Sequence, residues 1–330
     1  WVQGSLLHLD GPYVGGRWIT TAVGQRQAVF ASVSTNSGYA GTRLVGIDPA
    51  TGRISISSET GSNWSHSAAL DATDYDGDGI DELFLTTANL YDGYFTAYDF
   101  SRDLSEWASA TGLGTGQAVT HGDLNEDGHD ELIAVTTDGY IYAYDVFNQT
   151  LIWKSTKLPG YATYDVAVTD LEGDGKLEII AVSTDTVVVY EKYLDIYILR
   201  WLQTVAGANN LAVGDIDGDN RPDIVIAVGD QYGFGSQSTV QIYDGATFVR
   251  KAHYPVSGSI LDITVEQVPE GRKNLFVSRS ELLPIPYSAF ASESHIVVLD
   301  PLTGIQIWRS PALLGQAQRN SMSFADTNND

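Results

Sequence analysis

The chain has 330 residues, enough for one large domain or two ordinary ones, and its 43% hydrophobic residues, 33 glycines and 18 tyrosines suit short strands and tight turns better than helices. Its formal charge is −24, from 42 acids against 18 bases, which repels nucleic acid and anionic lipid and attracts cations. With no cysteine it can form no disulfide, zinc–thiolate site or thiol nucleophile, and no apolar run approaches the ~20 residues of a membrane-spanning helix.

The first residue is Trp1 rather than Met, which points to a processed or excised product. Residues 5–18, SLLHLDGPYVGGRW, read as a third and a fourth strand with nothing before them. TTAVGQRQAVFASVS (20–34) reads as a hairpin without a single acid, and LVGIDPATG follows it as a third-strand turn. The next hairpin is different. DYDGDGIDEL, starting at Asp74, sets five acids within nine positions and runs into the strand-like LFLTT.

That stretch recurs as DLNEDGHDEL from Asp123, DLEGDGKLEI from Asp170 and DIDGDNRPDI from Asp215, with starts 49, 47 and 45 residues apart. Such a period fits one four-stranded propeller blade per copy. Oxygen-bearing side chains stand at positions 1, 3, 5 and 9 of every copy: Asp74, Asp76, Asp78 and Glu82; Asp123, Asn125, Asp127 and Glu131; Asp170, Glu172, Asp174 and Glu178; Asp215, Asp217, Asp219 and Asp223. Alternating oxygens on a tight loop wrap one hard cation, and the position-7 carbonyl of Ile80, His129, Lys176 or Arg221 adds a further oxygen. Glycine at position 6, or Asn220 in the last copy, permits the sharp turn. Six or more oxygens at flexible distances favour Ca2+ over Mg2+. Position 12 of an EF-hand is a bidentate Glu on a helix; here it is Leu85, Ala134, Ala181 or Ile226, each inside a strand-like run. The expected cofactor is therefore Ca2+ at about four sites, each in a β-hairpin.

Around the second copy, QAVTHGD, ELIAVTT, GYIYAYD and QTLIWKS read as first to fourth strands, with the two-residue alternation of a half-buried sheet. Trp153, Trp201 and Trp308 fall on fourth strands and read as wedges between blades. ITVEQVPEGRKNLFVS (263–278) repeats the hairpin with Val268 and Asn274 in place of ligands. The last residues, SMSFADTNND, enter a further loop, with Asp326, Asn328 and Asp330 as its ligands 1, 3 and 5. The expectation is an all-β, seven-bladed propeller of four-stranded antiparallel blades in a single domain spanning 1–330. Its blades run approximately over 19–60, 64–108, 116–157, 163–204, 209–253 and 260–310, with a closing blade shared between 1–18 and 320–330.

In these loops the chain resembles the FG-GAP/VCBS repeat family, which includes the integrin α-subunit propeller and many secreted bacterial proteins. The resemblance implies Ca2+ bound by the D-x-D-x-D-G-x-x-D/E loop between the first two strands of a blade, at the four quartets above. It does not extend to the hairpins around Gln25 and Val268, and the Phe-Gly and Gly-Ala-Pro signatures of integrin repeats are not evident. In such a propeller the second-to-third strand and blade-to-blade loops share the upper face. Long loops there at 35–41, 87–94, 229–237 and 279–294 carry Tyr39, Tyr91, Tyr232, Phe234, Tyr287 and Phe290, of the type used by glycan and protein sites. Nearer the axis stand Trp64, His66, Gln117, Tyr164, Asn210, Arg319 and Asn320. Candidate ligand-binding residues are thus Trp64, His66, Tyr91, Tyr232, Phe234, Tyr287 and Arg319.

None of the six histidines belongs to an H-E-x-x-H, and no G-x-S-x-G elbow or phosphate-binding glycine loop occurs. The expected function is a non-catalytic, extracellular or cell-surface adhesion module that binds a protein or glycan on its upper loops. One alternative is a structural subunit of a surface assembly, self-associating through the incomplete blade. The other is a calcium-dependent enzyme resembling polysaccharide lyases, with Arg319 near its substrate. Neither nucleic acid nor membrane insertion is expected.

Overall fold

The second strand of each repeat is apolar on both faces. In the run Glu82–Asn89, Leu83 and Leu85 pack to one side with Ile19, Val29 and Leu44, while Phe84 packs to the other with Val119, Leu132 and Ala134. A strand buried on both faces cannot alternate apolar with polar, so it reads as an unbroken hydrophobic run. It must be covered by a sheet on each side, and stacked sheets are what the fold supplies.

The computed structural model describes residues 13–34, 41–48, 51–56, 65–89, 93–160, 162–194, 196–229, 237–267, 273–282, 292–313 and 322. It is an all-β propeller of antiparallel four-stranded blades. Blade one comprises β1 (Tyr13–Thr20), β2 (Arg26–Ser34), β3 (Gly41–Ile47) and β4 (Ile54–Ile56). Blade two comprises β5 (Ser65–Thr73), β6 (Glu82–Asn89), β7 (Tyr94–Asp99) and β8 (Leu104–Ala108). Blade three comprises β9 (Gly116–Gly122), β10 (Glu131–Thr136), β11 (Ile141–Asp145) and β12 (Thr150–Lys154). Blade four comprises β13 (Thr163–Thr169), β14 (Glu178–Ser183), β15 (Thr186–Tyr193) and β16 (Ile196–Thr204). Blade five comprises β17 (Ala208–Gly214), β18 (Asp223–Val228), β19 (Gln237–Asp244) and β20 (Arg250–Ser257). Blade six comprises β21 (Ser259–Gln267), β22 (Lys273–Leu282), β23 (Ser292–Leu299) and β24 (Gln306–Arg309). In every blade each strand pairs with the next in the chain.

Six blades are present among the described residues, where seven were expected. The closing blade drew on residues 1–18, yet Tyr13–Trp18 lies in β1 and pairs with β2, Arg17 opposite Val29 and Trp18 opposite Ala28. The turn explains the difference. Thr21 donates its amide to the Gln25 carbonyl at 2.9 Å and Gly24 donates to Thr21 at 2.7 Å, a hairpin so tight that its first strand must precede residue 21. The remainder of that expected blade, 1–12 and 320–330 apart from Met322, lies outside the described residues.

The chain divides into two compact units after Lys157. In the first, the inner strands β1, β5 and β9 pack side by side; in the second, β13, β17 and β21 do so. Asp165 of β13 accepts the Leu211 amide of β17 at 2.8 Å, and Asp262 of β21 accepts the Met322 amide at 2.7 Å. Leu211 and Met322 each stand four residues before the first acid of a loop, Asp215 and Asp326. The cores fill the spaces between blades. Trp107, on the outer strand β8, is buried and lies 5.2 Å from Tyr144 of the next blade. Trp201 stacks on Phe248 of blade five at 4.8 Å. These two are wedges. Of the expected Trp153, Trp201 and Trp308, Trp201 is so placed, Trp153 is half-buried opposite Ala143 and Trp308 is 47% exposed, while Trp107 was not foreseen.

Truncating Trp107 to Ala should therefore cost about 3–5 kcal/mol, whereas Trp308→Ala should cost about 1 kcal/mol or less. Urea unfolding of the two variants checks this, and equal losses would refute the wedge assignment.

Candidate metal centres

The four acidic hairpins adopt one backbone design. The position-1 carboxylate accepts the amide of position 6: Gly79 to Asp74 at 2.9 Å, Gly128 to Asp123 at 2.9 Å, Gly175 to Asp170 at 2.7 Å and Asn220 to Asp215 at 3.1 Å. The position-5 carboxylate accepts the amide of position 7: Ile80 to Asp78 at 2.9 Å, His129 to Asp127 at 2.9 Å, Lys176 to Asp174 at 3.0 Å and Arg221 to Asp219 at 2.9 Å. Such a tight coil needs left-handed backbone at position 6, φ 86° at Gly79 and 65° at Asn220, and again at position 4, where Gly77, Glu126, Gly173 and Gly218 stand. Position 2 anchors the loop below: Tyr75, Leu124, Leu171 and Ile216 are all buried.

Asp123, Asp170 and Asp215 accept loop amides on both carboxylate oxygens, whereas Oδ1 of Asp74 accepts none. Asp74, Asp76 and Asp78 bring carboxylate oxygens within 4.8 Å of one another, as do Asp215, Asp217 and Asp219. A second group lies beneath, where the loop meets the rest of its blade: Glu82 with Asp99 and Glu106, and Asp127 with Glu131 and Asp145.

Position 9 is the most constrained member. Glu82, Glu131, Glu178 and Asp223 are each the first residue of a buried second strand, and all four are buried. Three accept the position-2 amide: Leu124 to Glu131 at 2.6 Å, Leu171 to Glu178 at 2.8 Å and Ile216 to Asp223 at 3.2 Å. Glu82 does not. Both its carboxylate oxygens, and Oδ1 of Asp74, are buried without a hydrogen-bond partner. Burial, followed by repulsion from Glu106, Asp76, Asp78 and Asp99, pushes the Glu82 carboxyl up to about 9. Burial lifts Glu131 to about 8 and Glu178 to about 7, each held back by backbone amides. In blade three the Asn125 side-chain amide donates to Glu131 at 2.9 Å and to Asp127 at 3.1 Å. A buried carboxylate with no donor is costly, and the Asp74–Glu82 set is a donor set that fits a hard cation.

The third-strand acids were missed from sequence. Asp99, Asp145 and Asp244 each end a third strand and accept the amide three residues on, at 2.8, 2.7 and 2.7 Å, which forms the turn into the fourth strand. Asp48 and Asp300 do the same in blades one and six. The signal lay in the recurring third-strand turns, IDPATG and LDPLTG among them. Position 8 was missed too. Asp81 accepts the Thr20 amide at 2.5 Å and Asp130 accepts the Thr73 hydroxyl at 2.5 Å, so each ties its loop to the preceding blade.

Other predicted residues are placed less centrally. His121 bonds Asp71 at 2.9 Å, and Asp71 also bonds Arg17 at 2.8 Å; burial alone would raise Asp71, but Arg17 and His121 lower it to about 2. His129 stacks on Phe147 at 3.8 Å. His66 pairs with Ala88 through the backbone of β5. Tyr164 packs into the core between blades four and five, Gln117 donates to its neighbour's carbonyl at 3.1 Å, and Asn210 is buried with neither amide atom bonded. Trp64, Tyr91, Tyr232, Phe234, Tyr287 and Arg319 lie outside the described residues, as do Asp326, Asn328 and Asp330.

A carboxyl whose folded value lies above its ordinary 4.5 contributes stability that is complete below that pH and lost as pH rises through the folded value. In chelator, melting temperature should therefore fall as pH rises from 5 to 9. Glu82→Gln, which keeps the shape and removes the charge, should flatten the upper part of that fall; an unchanged slope would mean that Glu82 ionises freely.

A family model described as an FG-GAP-like repeat matches residues 170–226, which span the third and fourth loops. No curated protein sequence matches the chain. Among solved structures the chain is similar to Sqt1 of Saccharomyces cerevisiae, at 10% identity over 93% of this chain and 75% of that one, with a TM-score of 0.63. It is similar also to a chain of the mitotic checkpoint complex, at 14% identity over 96% and 90%, with a TM-score of 0.61. At such identities the likeness speaks for the fold alone.

Proposed function

Given that this chain is an FG-GAP-like β-propeller, with its family repeat at residues 170–226, we propose that it is an extracellular ligand-binding module whose loops hold structural calcium. The observation that carries the metal reading is Glu82, fully buried with both oxygens unbonded beside Asp99 and Glu106. The ligands would come from positions 1, 3, 5 and 9 of the four loops, joined by the third-strand acids Asp99, Asp145 and Asp244. Calcium, when bound, supplies positive charge that offsets carboxylate repulsion, and an all-oxygen set on a flexible loop suits it better than magnesium. The rest is done by the chain: backbone amides orient positions 1 and 5, left-handed residues at positions 4 and 6 coil the loop, and the second strand fixes position 9. Millimolar extracellular calcium suits weak, loop-built sites.

The ligand-binding half of the proposal rests on the aromatic loops and on the absence of any recognised nucleophile or metalloprotease motif in the sequence. A protein or glycan is the expected ligand, without turnover. Saturable binding on a glycan and protein panel supports this. Cleavage of a polysaccharide would move the reading to an enzyme, and self-association without ligand binding to an assembly subunit.

For the metal, Asp76→Ala and Asn125→Ala should each lower the melting temperature in calcium and change little in chelator. Each removes the linkage stabilisation of one site, about 2.7 kcal/mol when calcium stands 100-fold above its dissociation constant. Equal losses with and without calcium would refute the metal role.

A further inference from the structure

Behind each acidic hairpin the fourth strand carries one residue outside the pairing register. Trp107, Trp153, Trp201 and Ala252 face Ala97, Ala143, Val189 and Ile242, while Ser105, Leu151, Leu199 and Arg250 face the next residues, Tyr98, Tyr144, Tyr190 and Tyr243. The extra residue in each β-bulge is Glu106 in blade two, Ile152 in blade three, Arg200 in blade four and Lys251 in blade five. A bulge re-aims a side chain, and here the charged ones meet the acids of their own blade.

In blade five the Lys251 ammonium lies 2.8 Å from Asp217, 2.7 Å from Asp223 and 3.1 Å from Asp244. Those are positions 3 and 9 of the loop and the third-strand acid, a set that calcium would use. In blade four Arg200 pairs with Glu172, at position 3, and with Glu191, which follows Tyr190 as Asp244 follows Tyr243, at 3.3 Å. Blade two puts a carboxylate in the same place: Glu106 joins Glu82 and Asp99. Blade three puts Ile152 there, which brings no charge to Asp127, Glu131 and Asp145.

Other basic residues that reach the loops are themselves more exposed. Arg102 lies 2.8 Å from Asp78, 3.2 Å from the buried Asp99 and 3.7 Å from Glu106, but its own side chain is 46% exposed and Glu82 has no bond from it. Lys176 meets Asp174 at 2.9 Å with half its side chain exposed. Lys251, by contrast, is 17% exposed and meets an Asp223 side chain that is 1% exposed. A desolvated contact of that kind is screened far less than a rim contact.

We infer that the bulge residue decides which loops depend on a divalent cation. Arg200 and Lys251 are tethered cations that neutralise the third and fourth loops from within, while Glu106 and Ile152 leave the first and second loops to bind metal tightly. This rests on the calcium reading of the loops and sorts the four sites into two classes. Blades two and three bind first, and blades four and five bind weakly because an incoming ion must displace a bonded side chain.

The test is calcium binding to the full chain by calorimetry and native mass spectrometry, with circular dichroism to confirm that each variant is folded. The wild-type chain should hold two ions tightly. Lys251→Met, which keeps length and removes charge, should move a third ion into the tight class, its affinity rising about tenfold or more, and Arg200→Met should do the same for its own blade. Conversely, Ile152→Lys should remove one tight ion and raise the melting temperature in chelator. Lys251→Met with unchanged stoichiometry and affinity, or Ile152→Lys that still binds two ions tightly, would overturn the inference while leaving calcium binding intact. A wild-type chain that binds no calcium at millimolar concentration would instead overturn the loop reading itself, and this inference with it.

Discussion

The arrangement of the acidic loops depends on one collision of demands at position 9. The residue that closes each hairpin also opens the second strand, and the second strand is buried on both faces. Its carboxylate is consequently taken out of water whatever the loop does, and an uncompensated buried charge is among the costliest features a fold can contain. The loops differ in the compensation. Glu178 accepts a backbone amide, Glu131 adds the Asn125 side chain, Asp223 has Lys251, and Glu82 has no bonded partner among the described residues. A single backbone design thus ends in four electrostatic states.

Positions 8 and 9 show how the same hairpin serves two neighbours. Adjacent residues at the start of a strand point to opposite faces. In blades two and three, position 9 turns into its own blade while Asp81 and Asp130 turn to the blade before, where they bond Thr20 and Thr73. In blades four and five position 8 is Leu177 and Pro222, which can make no such bond. The loops of blades two and three are therefore the more acidic, and each is tied to its predecessor through position 8.

Much of this was legible in the sequence because a repeat gives several chances to see one pattern. The four hairpins, the apolar second strands and the strand assignments of blade three follow from spacing and alternation, and the structure places them as expected. Blade one was misjudged at its start because YVGGRW carries neither acid nor clear alternation, and only the tight turn at 21–25 shows where β1 must end. The third-strand acids and the bulge residues were not legible for a different reason. Asp99 and Asp145 look like ordinary turn formers when each is read alone, and Glu106, Ile152, Arg200 and Lys251 share no chemistry at all. What they share is a place in the register, which only pairing reveals. The aromatic loops were read from sequence and rest there.

A residue carried in a bulge makes no demand on the ladder around it. The tyrosines and tryptophans on either side keep their partners in blades two, three and four although the bulge itself holds an acid, an aliphatic and a base in turn. Such a site can change its charge by single substitutions without disturbing the sheet that displays it. Over evolutionary time a blade could then trade an external ion for an internal one, or trade back, in small steps that each leave a foldable chain. Copies of one repeat in one molecule would come to differ in ionic requirement while remaining superimposable in backbone.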